Sequence, residues 1–423
     1  MLGNVQTRLR SDRQLEALLF FAAVVVFLGT GSYTVQSIDT AAASDAAGVV
    51  ARTGSFELST LGNVENPWVI ETDAGTFTNR FPGVVLYSVP AYLIADSVGW
   101  DFRWGPGVVS ASLVSAAATA LMFSLLLALQ ISRRVALAGT LFFGFGTATW
   151  AVSADAQWPH GIDQLLIVGG LRLMASGRSA WAGLVIGFLA FSRPQLAPAI
   201  LVIGVTWAWW EGGWRRLVGF GVPAVAGISA LIIFNGLVIG VWSPDNGLYE
   251  YAGLGAIGTM SILTAITVTL FHPFRGVLIL YPALLVCASG ATRGWKAAPS
   301  ASKAALLGGL VALLTQLALN NPYGGDTFFG SRLTIEALTL AYPFLVVAWT
   351  CAPERARRFG VPLLGISVMT HAVGAVVYPF IFSGFLPLVP ATAATALTAA
   401  TAYIAVYRAI SATDDTKATV REH

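Results

Sequence analysis

The chain has 423 residues, of which 56% are hydrophobic and only 11% are charged, and its mean hydropathy is +0.72. These values exclude an ordinary soluble globular protein, and the long apolar runs that recur along the chain indicate a polytopic helical membrane protein. The net charge of +3 excludes little, because in a membrane protein the placement of charges matters more than their sum. We find no basic patch typical of nucleic-acid binding.

The first apolar span, residues 15–36, runs into the polar stretch Ser37-Ile38-Asp39-Thr40. An acidic residue at the end of a membrane span is either a solvated anchor at the headgroup level or a functional residue. The neighbouring Thr40 also suits a helix cap at this point. Asp39 is therefore the first candidate functional residue, with a structural role as the alternative.

Further apolar runs follow, and together they predict about twelve transmembrane helices in an all-α polytopic membrane protein with a single transmembrane domain, residues 1–423. The runs are 15–36, 107–130, 134–153, 160–176, 179–192, 194–210, 216–241, 275–290, 303–320, 331–350, 359–381 and 385–408. The segment 82–98 is ambiguous. It is short and contains Pro82 and Pro90, so it either crosses the membrane or lies along the interface.

The basic residues decide between these two interpretations of segment 82–98. If it stays on the outer face, both termini are cytoplasmic, and most of the 24 Lys and Arg residues, including every lysine, fall in inner segments. A crossing there would put the N-terminal arginines on the opposite side from every later basic loop. The positive-inside rule therefore favours interfacial helices within a long first outer loop, residues 37–106.

The outer loops then carry the unusual polar content, whereas the inner loops are short and basic. The first loop is far the largest, and a second one covers residues 242–274. Most outer-facing acids lie in the loops on this side. They are Asp39, Asp45, Glu57, Glu65, Glu71, Asp73, Asp96, Asp101, Asp155, Asp245, Glu250 and Asp326. Any reaction is thus expected to face outward.

Two short apolar pieces, 179–192 and 194–210, meet at Ser192-Arg193-Pro194. The first is shorter than the ~20 residues that a straight span needs. An Arg-Pro pair at that depth is tolerated only where it lines a cavity or is buried in protein. We predict a broken, V-shaped helical pair that opens toward the outer cavity, with Arg193 pairing inside it.

The order of these features resembles the C-type integral-membrane glycosyltransferases (the GT-C superfamily), which use polyprenyl-phosphate sugars as donors. The resemblance rests on an acid just after the first span and on a basic-x-Pro element that enters the interfacial helices. The segments are Ile38-Asp39-Thr40, Arg80-Phe81-Pro82, Asp101-Phe102-Arg103-Trp104-Gly105-Pro106, Thr147-Ala148-Thr149-Trp150, Trp158-Pro159-His160-Gly161, Ser192-Arg193-Pro194, Phe271-His272-Pro273-Phe274-Arg275-Gly276 and Phe329-Gly330-Ser331-Arg332-Leu333. The last two are similar to segments of bacterial and archaeal members related to lipid-linked mannosyl- and arabinosyltransferases.

The resemblance implies a GT-C-like fold in the cytoplasmic membrane of a prokaryote, with an active site on the outer face. Asp39 would be the general base that deprotonates an acceptor hydroxyl, giving inversion by direct attack. Arg80, Arg275 and Arg332 would bind the donor phosphate, as arginine does with two parallel hydrogen bonds. Alternatively, Arg80 touches lipid headgroups, and the other two arginines pair with outer acids such as Asp326.

Other residues are candidates for substrate binding. They are Asp45, Asp155, His160, His272, Tyr323 and Asp326. Four of them have an alternative: Asp45 as a solvated loop acid, His160 as a cap or packing residue, and Tyr323 with Asp326 as part of a chain-reversing turn. Acids and histidines on one face are compatible with a divalent cation, although no spacing requires one. We expect no other cofactor, and we expect the 194–210 region to wall the groove for the lipid.

The partners expected from this interpretation are a polyprenyl-phosphate sugar donor, a glycan, lipid or protein acceptor, and membrane lipids. Two other functions remain open: a transporter or flippase of a lipid-linked or polar solute, and a non-catalytic assembly subunit of the same fold. A transporter is expected to place paired ionisable residues inside its spans, near the midplane of the membrane.

Overall fold

The computed structural model describes residues 2–33, 37–59, 69–100, 103–244, 262–272, 275–319 and 329–378, with only the backbone of 2–10 and 262. Six helices of this part are long and apolar enough to cross a membrane. They are Ser11–Thr30, Gly105–Ala128, Gly213–Ile239, Ser300–Leu319, Arg332–Cys351 and Glu354–Val376. The protein is therefore a helical membrane protein, as its composition predicts.

The helices of the first half of the chain include a group of short ones after the first span. They are α1 (Leu2–Thr30), α2 (Ile38–Thr53), α3 (Pro82–Leu86), α4 (Val89–Ser97), α5 (Gly105–Ala128), α6 (Arg133–Phe145), α7 (Pro159–Ala175), α8 (Ser179–Gly187) and α9 (Ala197–Glu211). Strands β1 (Val69–Thr72) and β2 (Gly75–Thr78) form an antiparallel hairpin between α2 and α3. The apolar runs do not predict this hairpin.

The second half of the described chain continues the bundle. Its helices are α10 (Gly213–Phe234), α11 (Ile262–Phe271), α12 (Val277–Leu280), α13 (Leu284–Ala297), α14 (Ser300–Leu319), α15 (Ile335–Cys351) and α16 (Glu354–Val376). The run predicted as one span over 275–290 falls into two pieces, α12 and α13, because Pro282 between them cannot donate a backbone hydrogen bond. The predicted span 385–408 lies outside the described residues.

The predicted interfacial segment 82–98 consists of α3 and α4, which both contain a proline in the first turn. Even the longer helix, with nine residues, extends only about 13 Å, less than half of the ~30 Å hydrocarbon core. Neither helix can cross a membrane alone. Together with α2 they form a small cluster whose buried side chains include Ala46, Val85 and Tyr92.

The bundle has two chemically different ends. At one end Ser32, just after α1, donates its backbone N–H to the carbonyl of Asp155 (3.0 Å). At the other, Asp12 of α1 pairs with Arg133 at the start of α6 (2.8 Å between Oδ1 and Nε). The stretch of α1 between these contacts is about 27 Å long, close to the thickness of a bilayer core. We call the end of the bundle at Ser32 and Asp155 the Asp39 end, and the end at Asp12 and Arg133 the basic end.

The predicted break at Ser192-Arg193-Pro194 is present. After α8 the chain passes through a 3₁₀ turn, Phe188–Phe191, and a second one, Pro194–Leu196, leads into α9. The backbone at Arg193 is extended (φ −150°, ψ 82°), so the helix is interrupted there. The residue before a proline avoids the helical region, which accounts for the position of the break.

Close backbone packing holds α3 and α10 against this broken pair. A Cβ at Gly187 would lie 2.5 Å from the carbonyl oxygen of Ala224 in α10. A Cβ at Gly83 in α3 would lie 2.9 Å from the backbone of Phe191 and Ser192. Glycine at these positions lets helices approach more closely than any other residue allows. The interfacial helix α3 is thereby fixed directly against the helix break.

Candidate functional site

Asp39 lies in the first turn of α2, at the end of the bundle that bears its name. The cap of this helix is Ser37, whose side-chain oxygen accepts a hydrogen bond from the backbone N–H of Thr40 (3.2 Å). The carboxylate of Asp39 is therefore not the capping group. Its place in the first turn favours the ionised form, because the N-terminus of a helix carries partial positive charge.

Two arginines bind the Asp39 carboxylate. Arg332 donates from Nη1 to Oδ2 (2.7 Å), and Arg80 donates from Nη1 to Oδ1 (3.4 Å). The side chains of Asp39, Arg80 and Arg332 are 21%, 14% and 18% exposed. These exposures are large enough for a ligand to reach the charges and small enough to strengthen their interaction. The sequence predicts all three residues for one site, and in the structure each arginine contacts Asp39.

The partial burial of these three residues shifts the pKa values of Asp39 and Arg80. Burial alone would raise the pKa of Asp39, but the charges of Arg332 and Arg80 outweigh it and hold that pKa below its ordinary value. Burial also lowers the pKa of Arg80 to about 10, against the opposing effect of Asp39. At neutral pH all three groups are charged, and the cluster has an excess of positive charge.

Neighbouring side chains hold the two arginines in place. The buried amide oxygen of Asn79 accepts from Nε and Nη2 of Arg80 (3.1 and 2.9 Å), so that its guanidinium is clamped in one plane. The guanidinium of Arg332 lies over the ring of Trp158, 4.8 Å from the centroid. The Trp158 carbonyl in turn accepts a hydrogen bond from the hydroxyl of Tyr87 (3.2 Å).

Two more arginines contribute charge to the site. The charge of Arg275 acts on Arg332, and that of Arg193 acts on both Asp39 and Arg80. The predicted donor-site residue Arg275 thus lies in the electrostatic field of the cluster.

A second, fully buried layer of charge lies next to the cluster. Nδ1 of His160 is 2.6 Å from Oε1 of Glu336, and Nε of Arg193 is 3.4 Å from the same oxygen. Arg193 also faces Asp163 (3.7 Å), and Asp163 accepts a hydrogen bond from Ser192. Since the histidine and both acids are 0% exposed, this layer is not open to solvent. It ties α7, α15 and the helix break together.

Arg193 lies at the helix break, but its acidic partners Asp163 and Glu336 belong to α7 and α15, so the predicted pairing inside the broken helical pair is wrong. One helical turn separates Arg332, which binds Asp39, from Glu336, which binds Arg193. The two layers are thus linked through the start of α15.

The remaining predicted residues lie in other surroundings. Asp45 forms a two-pronged ion pair with Arg103 (2.7 and 2.6 Å), so its carboxylate is engaged away from Arg80 and Arg332. Asp155 accepts a hydrogen bond from the Ser32 hydroxyl (2.7 Å), and burial raises its pKa to about 7.

The carbonyl of His272 accepts the backbone N–H of Gly276 (2.7 Å), which closes the turn after α11. Tyr323 and Asp326 lie outside the described residues. Within the described ranges, no group of three or more His, Cys, Asp and Glu side chains is placed to hold a metal ion.

Some residues of the site are not evident from the sequence. Asn79 could be noticed only as a polar neighbour of Arg80, and nothing in the spacing links Glu336 to His160, 176 residues earlier. Trp158 belongs to a recognisable segment, but its place under Arg332 depends on the fold. Chemically, the arrangement is an anion-binding site built from guanidiniums, with one carboxylate occupying it.

Comparison of the chain with models of known protein families finds no match, and neither does comparison with curated proteins. Fold and site define a helical membrane protein with a partly exposed cluster of one carboxylate and two arginines at one end of its bundle. The function must be argued from the site itself.

Proposed function

We propose that this protein is an integral-membrane glycosyltransferase. It moves a sugar from a polyprenyl-phosphate-linked donor to an acceptor hydroxyl on a glycan, lipid or protein, at the outer face of the membrane. The observation that carries the proposal is the contact of the Asp39 carboxylate with the guanidiniums of Arg80 and Arg332 in one accessible cluster. The reaction needs both an anion site and a base, and this cluster supplies both.

The donor phosphate competes with Asp39 for the two arginines. A phosphate offers oxygens in the geometry that a guanidinium binds with paired hydrogen bonds, and charge-assisted bonds of this kind are about twice as strong as neutral ones. Arg80 is suited to this role because Asn79 fixes its plane before the ligand arrives. Arg193 and Arg275 add long-range attraction for the anion.

Once phosphate has taken the arginines, Asp39 loses the charges that keep its pKa low. Burial then dominates and raises that pKa, so the carboxylate becomes a better base when the donor is bound. The acceptor oxygen attacks the anomeric carbon while Asp39 takes its proton. The bond between that carbon and the phosphate oxygen breaks, and the arginines stabilise the negative charge on the leaving phosphate. Direct attack inverts the anomeric configuration.

The orientation follows from the distribution of charge. Basic residues mark the end of the bundle opposite to Asp39, among them Arg133, which begins α6, and Arg355, near the start of α16. Positive residues are enriched on the cytoplasmic side of membrane proteins, and this bias supports an outward-facing Asp39 cluster. A site at the membrane surface is where a lipid-linked phosphate presents its head.

Transport of a lipid-linked or polar solute is the second candidate, and the buried layer around Arg193 favours it. Transporters hold paired ionisable residues within their spans. However, Asp163 lies only about 6 Å from the start of α7, and Glu336 lies in the first turn of α15. The layer is thus near the ends of these helices rather than at their midpoint. A non-catalytic subunit of the same fold would keep the cluster without turnover.

The decisive experiment measures sugar transfer by the purified protein in proteoliposomes. Radiolabelled polyprenyl-phosphate mannose and polyprenyl-phosphate arabinose are supplied with a panel of glycan, lipid and peptide acceptors. Asp39→Asn is compared with Asp45→Asn, a matched change in the same helix whose carboxylate pairs elsewhere. We expect the Asp39 variant to lose at least about 10²-fold in turnover and the Asp45 variant to keep it. Full turnover in Asp39→Asn would refute the assignment of the base.

Absence of transfer with every donor, combined with movement of the labelled lipid between leaflets, would favour transport. Absence of both activities would favour a non-catalytic subunit.

A further inference from the structure

A cavity of about 270 Å³ lies inside the bundle, apart from the Asp39 cluster. Helices α6, α13, α15 and α16 contribute its walls, and Tyr281 also lines it. The 194–210 region, which the sequence analysis expects to wall a lipid groove, does not line this cavity. Its walls and its two ends indicate what it binds.

The walls are helix faces with apolar periodicity. On α6 the lining residues stand at positions i, i+3, i+4 and i+7, which share one face of a helix: Val135, Ala138, Gly139 and Phe142. On α15 the lining residues Leu338, Tyr342, Leu345 and Trp349 likewise share one face. Each helix thus turns a continuous apolar stripe toward the empty space.

The hydroxyl groups of the walls do not make the cavity polar. Thr147 donates its hydroxyl to the carbonyl of Phe143 (2.5 Å), and Thr350 donates to that of Val347 (2.7 Å). The hydroxyl of Tyr342 donates to the carbonyl of Gly139 (2.5 Å). With their protons bound to the backbone, these side chains present mainly carbon to the interior. A space of this kind suits a hydrocarbon chain better than water.

The two ends of the cavity differ. Toward the Asp39 end it is lined by Tyr281, whose hydroxyl accepts the backbone N–H of Ala148. Toward the basic end it is lined by Arg357 and by two exposed residues, Ser132 and Thr350. Ser132 is the N-cap of α6 and makes no side-chain capping bond, so the partial positive charge of this helix N-terminus lies beside the mouth. A guanidinium and a helix N-terminus together attract an anion.

We propose that this cavity binds one acyl chain of an anionic phospholipid, with the lipid phosphate held at its mouth by Arg357 and the N-terminus of α6. The length supports a chain from the leaflet at the basic end. From Ser132 to Phe142 the wall of α6 rises about 15 Å, half of the ~30 Å hydrocarbon core and thus the depth of one leaflet. The phosphate is then at the level where membrane headgroups lie.

The proposal is independent of the glycosyltransferase activity, because it concerns the opposite end of the bundle and is tested by lipid binding alone. Purified protein is titrated with dioleoyl-phosphatidylglycerol and with dioleoyl-phosphatidylcholine, and bound lipid is counted by native mass spectrometry. We expect one site that prefers the anionic lipid by about fivefold, the effect of roughly one arginine near a charged headgroup.

Two variants and two matched controls assign that site. Val135→Trp fills the cavity and should weaken binding of both lipids by about tenfold or more, whereas Val222→Trp, on an exposed face of α10, should not. Arg357→Gln should keep binding but remove the preference for phosphatidylglycerol. The exposed Arg355→Gln, on the same helix, should keep both.

Unchanged lipid binding in Val135→Trp would overturn the proposal, and so would a preference that survives in Arg357→Gln. Polyprenyl phosphate is titrated in the same way, and the proposal would also be wrong if Val135→Trp abolished binding of polyprenyl phosphate but left binding of phosphatidylglycerol unchanged. The cavity would then belong to the donor carrier. Circular dichroism and gel filtration of each variant separate loss of the site from loss of the fold.

Discussion

The contact between Arg332 and Asp39 is the most direct point at which to perturb the site. Arg332→Gln removes the guanidinium that donates to Oδ2 at 2.7 Å and leaves the weaker contact from Arg80 at 3.4 Å. Glutamine keeps a hydrogen-bond donor and much of the side-chain volume. The change therefore tests charge more than packing.

The expected size follows from the geometry. Two unit charges about 4 Å apart interact with about 4 kcal/mol at the effective dielectric constant near a protein surface. The net contribution is smaller, because both charges lose water when they pair and both side chains keep part of their exposure. We expect Arg332→Gln to lower the free energy of unfolding by about 2 kcal/mol at neutral pH.

The pH dependence gives a second readout. In the native protein the pKa of Asp39 is depressed, so the pair stabilises the fold above the ordinary carboxyl pKa of 3.8. This stabilisation is lost as the pH falls through the lower, folded-state pKa. Without the charge of Arg332, less remains to oppose the effect of burial, and the pKa of Asp39 rises. As the pH is lowered, the contribution of Asp39 to the free energy of unfolding should therefore begin to fall at a higher pH in the variant than in the wild type.

Thermal unfolding in detergent, followed by circular dichroism between about pH 2 and pH 8, measures both effects. Arg103→Gln is the matched control, because Arg103 pairs with a carboxylate near the same end of the bundle but is 65% exposed. Binding of inorganic phosphate, followed by calorimetry, should weaken about tenfold or more in Arg332→Gln only. If Arg332→Gln matched Arg103→Gln in stability, pH profile and phosphate binding, the electrostatic argument for the site would be refuted.

Three further changes test other parts of the structure. Gly83→Ala places a Cβ 2.9 Å from the backbone of Phe191, so thermal unfolding should show a loss of about 1–3 kcal/mol as α3 moves off the helix break. Arg80→Lys removes the planar guanidinium whose Nε and Nη2 donate to Asn79. Titration with phosphate should then show about tenfold weaker binding, with little change in the free energy of unfolding. The pKa of Asp155 is raised to about 7, so its contribution to stability is complete below pH 3.8 and is lost as the pH rises through 7. Asp155→Asn, which can still accept from Ser32, should flatten the unfolding profile in this window. An unchanged profile would contradict burial as the cause.

Much of the architecture follows from local patterns in the sequence. Continuous apolar runs of sufficient length and the scarcity of charge indicate membrane helices, because a helix satisfies its own backbone hydrogen bonds within the bilayer core. Prolines at the starts of α3 and α4 and at residue 194 mark where helices begin or break. The helix break and the short helices of segment 82–98 could therefore be predicted from the sequence, since each depends on neighbouring residues.

Pairings between distant residues could not be predicted. Arg332 binds Asp39 across 293 positions, and His160 meets Glu336 across 176. Asp45 pairs with Arg103. Asp39 and Asp45 lie in the same helix, so the sequence does not show which of the two acids pairs with which arginine. Such contacts depend on which helix faces meet, and the periodicity of one helix says nothing about its neighbour.

The sequence by itself determined that this protein is helical and membrane-embedded, and it showed where helices begin or break. It also showed which charged residues lie at the ends of apolar runs. Composition and local backbone preference are enough for that, since the bilayer acts on each segment separately. Only the tertiary structure decided which of those charges come together at Asp39, which are buried around Arg193, and where a cavity remains. Those outcomes are set by the packing of whole helix faces, where glycines such as Gly83 and Gly187 permit contact and larger residues prevent it.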